Sequence, residues 1–118
     1  MLAGLDFVML HVRDVAEARE FYTEKLGLTV EVAQPGFVQF ARPGGQGATF
    51  ALGQEPDAQP AAGPELWWYV ADADATHAEL ARRGVAIASA PKDEPFGRAF
   101  SITDPAGNML YLLQVRQP

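Results

Sequence analysis

The chain has 118 residues, no cysteine, 48% hydrophobic residues and a formal net charge of -6. This is the length of one ordinary domain, and the lack of cysteine excludes disulfides and thiolate catalysis. The negative charge disfavours nucleic acid and anionic membranes as partners. No apolar run is long enough to cross a membrane and the first residues lack a signal-peptide pattern, so we expect a cytoplasmic protein.

The first half of the chain predicts one helix and four strands in the order βαβββ. A strand is expected first, from Phe7 to Val12. Asp14 with Glu17 three positions later is typical of a helix start, and Gly27 ends the helix. Glycine- and proline-rich turns then separate three strands, which are predicted at Leu28–Val32, Phe37–Ala41 and Ala48–Leu52.

The second half predicts the same order of elements. A strand is expected at Leu66–Val70, and a helix begins at Asp72 or Asp74 and ends at Gly84. Three further strands are predicted at Val85–Ser89, Arg98–Thr103 and Met109–Val115.

The two halves are an internal repeat. Val12-Arg13-Asp14 corresponds to Val70-Ala71-Asp72, which lies 58 residues later. The proline-rich residues 54–64 show no periodicity and are predicted to be a linker over the surface. We therefore predict an α+β fold in a single domain of residues 1–118, with βαβββ modules at residues 1–53 and 65–118.

Motifs in both halves resemble the vicinal oxygen chelate superfamily of glyoxalases, bleomycin-resistance proteins and extradiol dioxygenases. Val12-Arg13-Asp14-Val15, Phe21-Tyr22 and Leu26-Gly27-Leu28 are similar to the family pattern around its first helix. Asp104-Pro105-Ala106-Gly107-Asn108 is similar to the family's turn before its last strand. The resemblance implies that each module curls its strands into half a barrel, and that the two modules enclose a concave pocket.

The same resemblance places the family's metal-ligand positions at Phe7, Ala51, Glu65 and Tyr111. Glu65 is the only ordinary ligand for a hard cation among them, and one carboxylate does not hold a catalytic metal against water. We therefore predict no metal and no other cofactor. The metal-dependent isomerase, lyase and dioxygenase reactions of the family do not transfer to these residues.

Strand alternation predicts which side chains face the pocket. Those expected there are Phe7, Met9, His11, Glu65, Trp67, Tyr69 and Tyr111. Their rings suit a planar or cationic small molecule, as in the bleomycin-resistance branch that the chain resembles. The alternative is that these rings fill the core. Trp68 is assigned to packing against the second helix, and His77 to a half-buried packing role within that helix.

Several polar groups are candidates for the same pocket. Glu65 is a weak catalytic candidate, as a general base or as a counter-charge, unless it is a strand-end carboxylate facing water. His11 is a proton acceptor at the rim or a structural residue. Two prolines predict a loop at Pro91–Arg98, and the resemblance implies that it overhangs the pocket, with Phe96 as a lid. Its Arg98 either pairs an anionic ligand group or is an ordinary surface residue.

Ser101 is a further candidate, as a hydrogen-bond donor on the pocket face. Together these residues favour a metal-free binding protein that holds an aromatic or apolar small molecule between the modules. The alternatives are a metal-dependent lyase, isomerase or dioxygenase of glyoxalase type, a metal-free enzyme with Glu65 as base, and an interaction module with a filled core. A homodimer is expected, because each curled sheet leaves edges and an apolar face for another half to cover.

Overall fold

The computed structural model describes residues 1–59, 63 and 65–116. The chain forms two compact units, residues 1–59 and 60–118, and the division falls within the segment predicted as a linker. Residues 60–62 and 64 of that segment lie outside the described residues. Each unit contains four strands and one main helix in the order βαβββ, which confirms the α+β class.

The first unit is an open four-stranded sheet in the order β1-β4-β3-β2. Its strands are β1 (Phe7–Val12), β2 (Val30–Gln34), β3 (Phe37–Phe40) and β4 (Thr49–Gln54). β1 runs parallel to β4, and the other neighbours are antiparallel. Helix α1 (Val15–Glu20) continues into a π-helical turn, Phe21–Lys25, and a short 3-10 turn lies at Pro43–Gly45.

An aromatic core joins α1 to its sheet. Tyr22 is fully buried, and its ring centroid lies 6.0 Å from that of Phe40 and 5.2 Å from that of Phe50. Phe40 and Phe50 also stack on each other across neighbouring strands, at 5.8 Å. These contacts bury one face of the sheet under the helix and leave the other face of β1 exposed, as the alternation predicts.

The second unit is an open four-stranded sheet in the order β5-β8-β7-β6. Its strands are β5 (Leu66–Tyr69), β6 (Ala86–Glu94), β7 (Gly97–Thr103) and β8 (Met109–Val115), and helix α2 spans Ala73–Arg82. β5 is parallel to β8, as β1 is to β4. Among the described residues, neither helix has the length and apolar character needed to cross a membrane.

The boundaries of three strands differ from the prediction by two residues or more. β2 lies two residues later than expected, because residues 28 and 29 belong to the irregular connection after the helix. β4 extends to Gln54, the first residue of the predicted linker. β6 continues past its predicted end at Ser89 as far as Glu94.

The prediction of a loop at Pro91–Arg98 is wrong, because most of this segment lies in strands. β6 and β7 form a hairpin in which Glu94 pairs with Gly97, so only Pro95 and Phe96 form the turn. Pro91 is tolerated because β6 is the edge strand and the pairing shifts between Ser89 and Lys92, which accommodates a residue without an N–H. A side chain on Gly97 would meet a backbone oxygen of β8 at 2.2 Å, so this position requires glycine.

The same capping interaction starts both helices. The Asp14 side chain accepts a hydrogen bond from the backbone N–H of Glu17 at 3.1 Å. Asp72 accepts one from the N–H of Ala75 at 3.0 Å. Of the two aspartates that the sequence offered as the start of α2, Asp72 is therefore the cap, and Asp74 lies in the first turn of the helix.

A glutamine from the last strand of each unit provides a second cap. The Gln54 side-chain oxygen accepts from the N–H of Val15 at 3.1 Å, and that of Gln114 accepts from the N–H of Ala73 at 2.8 Å. Both donors are the first residues of their helices. The unpaired N–H groups of each helix start are thus satisfied partly by the preceding aspartate and partly by the sheet.

We expect Asp72→Ala to lower the free energy of unfolding by about 1 kcal/mol, because it removes the acceptor at the start of α2. Asp72→Asn is the matched control, since the amide oxygen keeps the hydrogen bond and should retain most of the stability. Chemical denaturation of the three proteins measures the difference. Equal losses in both variants would contradict the role of the hydrogen bond.

Candidate ligand-binding site

The face of the second sheet opposite α2 carries the candidate site. His77 of α2 packs edge to face on Phe100 of β7, with ring centroids 5.4 Å apart, so the helix covers the Phe100 face. Strand pairing places Trp68 on that same face, where it is partly buried, which agrees with its predicted packing role. Trp67 and Tyr69 point to the opposite face and are 43% and 81% exposed.

An aromatic cluster of Trp67, Tyr111 and Phe96 lies on this open face. Trp67 pairs with Tyr111 across β5 and β8, and their rings stack with centroids 4.6 Å apart and planes 14° from parallel. Phe96, from the β6–β7 turn, meets Trp67 edge to face at 5.8 Å. Trp67 and Phe96 nevertheless remain exposed, so the cluster presents aromatic surface rather than a closed core.

Glu65 is hydrogen-bonded to the aromatic cluster. Its Oε1 accepts from the Trp67 Nε1–H at 3.1 Å. A carboxylate acceptor strengthens such a bond and holds the indole ring in one orientation. Glu65 thus brings a negative charge to the edge of the aromatic cluster.

Ser101 lies on the same face but is buried. Its Oγ is 2.6 Å from the Oγ of Ser89 on the neighbouring strand, and either hydroxyl can be the donor. Ser101 itself is only 4% exposed, whereas Ser89 is exposed. Of these two residues, Ser89 is therefore the one that reaches the surface.

Arg98 does not join these residues, and its assignment to an anionic ligand group is corrected. It alternates with Ser101 and shares the helix side of β7 with Phe100. Its guanidinium pairs with Asp74 of α2 at 3.1 Å and with Asp93 of β6 at 3.0 Å. Hydrogen bonds to Asp93 and Asp74 raise the pKa of Arg98 above its usual value. The side chain thus links helix and hairpin instead of facing the open surface.

The first unit has a corresponding open face of different composition. Phe7, Met9 and His11 alternate on it, and the first two are 42% and 43% exposed. Gly53 lies opposite His11 in the parallel pairing. A Cβ on Gly53 would come within 3.0 Å of Met9 Sδ and 3.3 Å of His11 Cδ2, so glycine leaves room for both side chains.

Three polar residues on the open faces were not among the sequence candidates. Gln39 pairs with Ala51 and donates a hydrogen bond from Nε2 to Glu31 Oε1 at 3.0 Å. Ser89 is the third, in the second unit. Alternation along β3 contained the signal for Gln39. For Glu31 and Ser89 the signal was hidden, because pairing shifts in β2 and β6 interrupt the alternation.

The side chains at the four family metal positions do not fit a divalent cation. Phe7 and Ala51 have no donor atom, and Ala51 is fully buried. Glu65 is engaged with Trp67, and Tyr111 lies against the same indole ring. Within the described parts of the chain, no three His, Cys, Asp or Glu side chains are grouped to hold a metal ion.

Fold and site together define the class of protein. The profile of the Glyoxalase/Bleomycin resistance protein/Dioxygenase superfamily matches residues 4–112, and the chain belongs to this family. The chain is similar to TnmS3, an antibiotic binding protein from Streptomyces sp. CB03234, with 31% identity, a TM-score of 0.84 and 98% of each chain covered. No curated protein matches the chain.

Two other solved structures show the same relationship. A glyoxalase/bleomycin resistance protein from Streptomyces sp. CB03234 is 32% identical, with a TM-score of 0.77 over 95% of this chain and 100% of that one. A superfamily member from Sphaerobacter thermophilus DSM 20745 is 28% identical, with a TM-score of 0.78 over 95% of this chain and 97% of that one. The family resemblance of the sequence motifs is therefore confirmed.

We expect Glu65→Leu to shift the Trp67 indole N–H resonance and to speed its exchange with solvent, because the variant removes the acceptor. Glu65→Gln keeps an acceptor oxygen and should change both much less. Two-dimensional NMR of indole protons measures this, with Trp68 as the internal reference. A resonance that moves equally in both variants would contradict a specific hydrogen bond.

Proposed function

We propose that this protein is a metal-free small-molecule-binding protein, and that its ligand stacks on the aromatic cluster of the second unit. The observation that carries the proposal is the Trp67–Tyr111 stack, with centroids 4.6 Å apart and Trp67 still 43% exposed. The similarity of the chain to TnmS3, which is named as an antibiotic binding protein, supports the same function.

The chemistry of the cluster favours an aromatic or apolar ligand. A flat ring placed on exposed indole removes apolar surface from water, and aromatic stacking adds about 1 kcal/mol beyond that burial. Rings that only filled a core would be buried, whereas Trp67 and Phe96 are exposed. Glu65 beside the indole also favours ligands with a positive charge, since cations bind to aromatic faces and to carboxylates.

The side chains at the metal positions support binding rather than the family's metal chemistry. A Lewis-acid or oxygen-activating mechanism needs several donors converging on one cation. Within the second unit, Glu65 and Tyr111 instead bond to and stack on Trp67. The competing function is a metal-dependent lyase, isomerase or dioxygenase of glyoxalase type.

We expect isothermal titration with polycyclic aromatic probes, such as acridine and the cationic 9-aminoacridine, to show saturable binding. Trp67→Ala should weaken this binding about tenfold or more, which corresponds to about 1.4 kcal/mol of lost stacking and burial. Trp68→Phe is the matched control, because the neighbouring tryptophan lies on the helix side of the same strand.

Two outcomes of this experiment would overturn the proposal. Equal affinities of wild type and Trp67→Ala for the probes would show that the aromatic cluster is not the binding site. Elemental analysis is done on the same preparation. Stoichiometric Ni, Zn, Fe or Mn, with binding abolished by a chelator, would favour the metal-dependent function.

We also propose that the protein is a homodimer. β1 and β5 are edge strands of their sheets, and neither contains the proline or lysine that usually protects an edge. Exposed apolar side chains on both open faces, Met9 and Trp67 among them, add surface that a second copy would cover. Sedimentation equilibrium should give twice the chain mass of 12.7 kDa. A mass of one chain at all micromolar concentrations would contradict this.

A further inference from the structure

We propose that the open face of the first unit binds one soft monovalent cation, Cu(I) or Ag(I), between the Met9 thioether and the His11 imidazole. Both side chains are exposed and stand two residues apart on β1, on the face that α1 does not cover. Neither residue is at a family metal position. The small-molecule site proposed in the second unit uses no metal, so the two proposals are independent.

The two side chains converge on Gly53 of the neighbouring strand. Gly53 pairs with His11 across β1 and β4 and is buried. The point that its Cβ would occupy lies 3.0 Å from Met9 Sδ and 3.3 Å from His11 Cδ2. Since Nε2 is bonded to Cδ2, small rotations of two exposed side chains bring the sulfur and this nitrogen to opposite sides of one ion. Glycine leaves the space in which the donors meet.

The donor types select a soft cation. Thioether sulfur is a neutral, polarisable ligand that suits Cu(I), and imidazole binds copper as well. Mg²⁺ and Ca²⁺ prefer oxygen donors, and a structural Zn²⁺ site needs about four ligands. Cu(I) and Ag(I) accept two donors in a line, which is what this pair offers. The net charge of -6 adds an attraction for cations, and the chain has no cysteine to compete for a soft ion.

The second unit does not repeat the pair. The residues 58 positions later are Trp67 and Tyr69, which carry rings instead of a thioether and an imidazole. Leu113 pairs with Tyr69 where Gly53 pairs with His11. A bulky side chain thus stands where the first unit has space between two donors, so the site is a property of these side chains and not of the fold.

The test titrates silver nitrate into the full chain in a chloride-free buffer, followed by calorimetry and by NMR of the methionine methyl groups. Wild type should bind one ion per chain. The Met9 methyl and the His11 ring resonances should shift together, while those of Met1 and Met109 stay in place. Cu(I) kept reduced by ascorbate should give the same pattern.

Substitution of either donor should weaken silver binding about tenfold or more, because the second donor then no longer acts at a high effective concentration. Met9→Leu and His11→Gln make these changes at exposed positions, so both proteins are expected to fold. Met109→Leu and His77→Gln are the matched controls, since each removes the same chemical group elsewhere in the chain. Both should bind silver as wild type does.

Gly53→Ala tests the geometry, because it keeps both donors and adds a carbon at the point where they meet. The backbone of Gly53 is outside the left-handed region, so alanine is tolerated there and silver binding should weaken. Wild-type affinity in Gly53→Ala, or in the double variant that lacks both donors, overturns the inference. Equal shifts of all methionine methyls overturn it too, since they indicate unspecific binding. The acridine titration does not depend on these outcomes, so the proposed function fails or stands separately.

Discussion

Each unit depends on the packing of one helix against one face of a four-stranded sheet. Because side chains alternate along a strand, this contact assigns every second residue to the core and leaves the others on the open face. Trp67 and Trp68 are neighbours in the chain, yet only Trp68 lies on the side of α2. Gln114 reinforces the arrangement, since its side chain on β8 caps the first residue of α2. The docking of the helix therefore decides which aromatic side chains remain exposed.

The two units keep the same architecture and differ in the chemistry of their open faces. Met9 pairs with Ala51 in the first unit, as Trp67 pairs with Tyr111 in the second. The capping contacts are also duplicated, because both helices face the same problem of unsatisfied N–H groups. Residues that hold helix to sheet thus recur, while residues on the open face are free to diverge. The open face of the second unit therefore carries aromatic rings and serine hydroxyls. The open face of the first unit carries Met9 beside the small residue Ala51.

Family membership establishes the fold and the superfamily, whereas the proposed binding function is argued from the side chains of the site. The match over residues 4–112 establishes the superfamily, whose members combine one fold with several chemistries. What this chain does must therefore be argued from its own side chains. Where the family's ligand positions require converging donors, Phe7 offers only carbon, and Tyr111 offers a ring that is stacked on Trp67. Those substitutions turn positions for coordination into positions for apolar contact, which is the physical basis of the binding proposal.

The sequence by itself determined the order of elements, the cap at Asp14, and which residues of β1 and β5 alternate between the two faces, because each depends on residues close together in the chain. Tertiary structure alone decided that Pro91 lies in an edge strand and that Arg98 faces two aspartates. It also decided that the hydroxyl of Ser89 contacts that of Ser101 across two strands. These features arise from pairing between distant strands, and bulges in β6 break the alternation that would otherwise have revealed them.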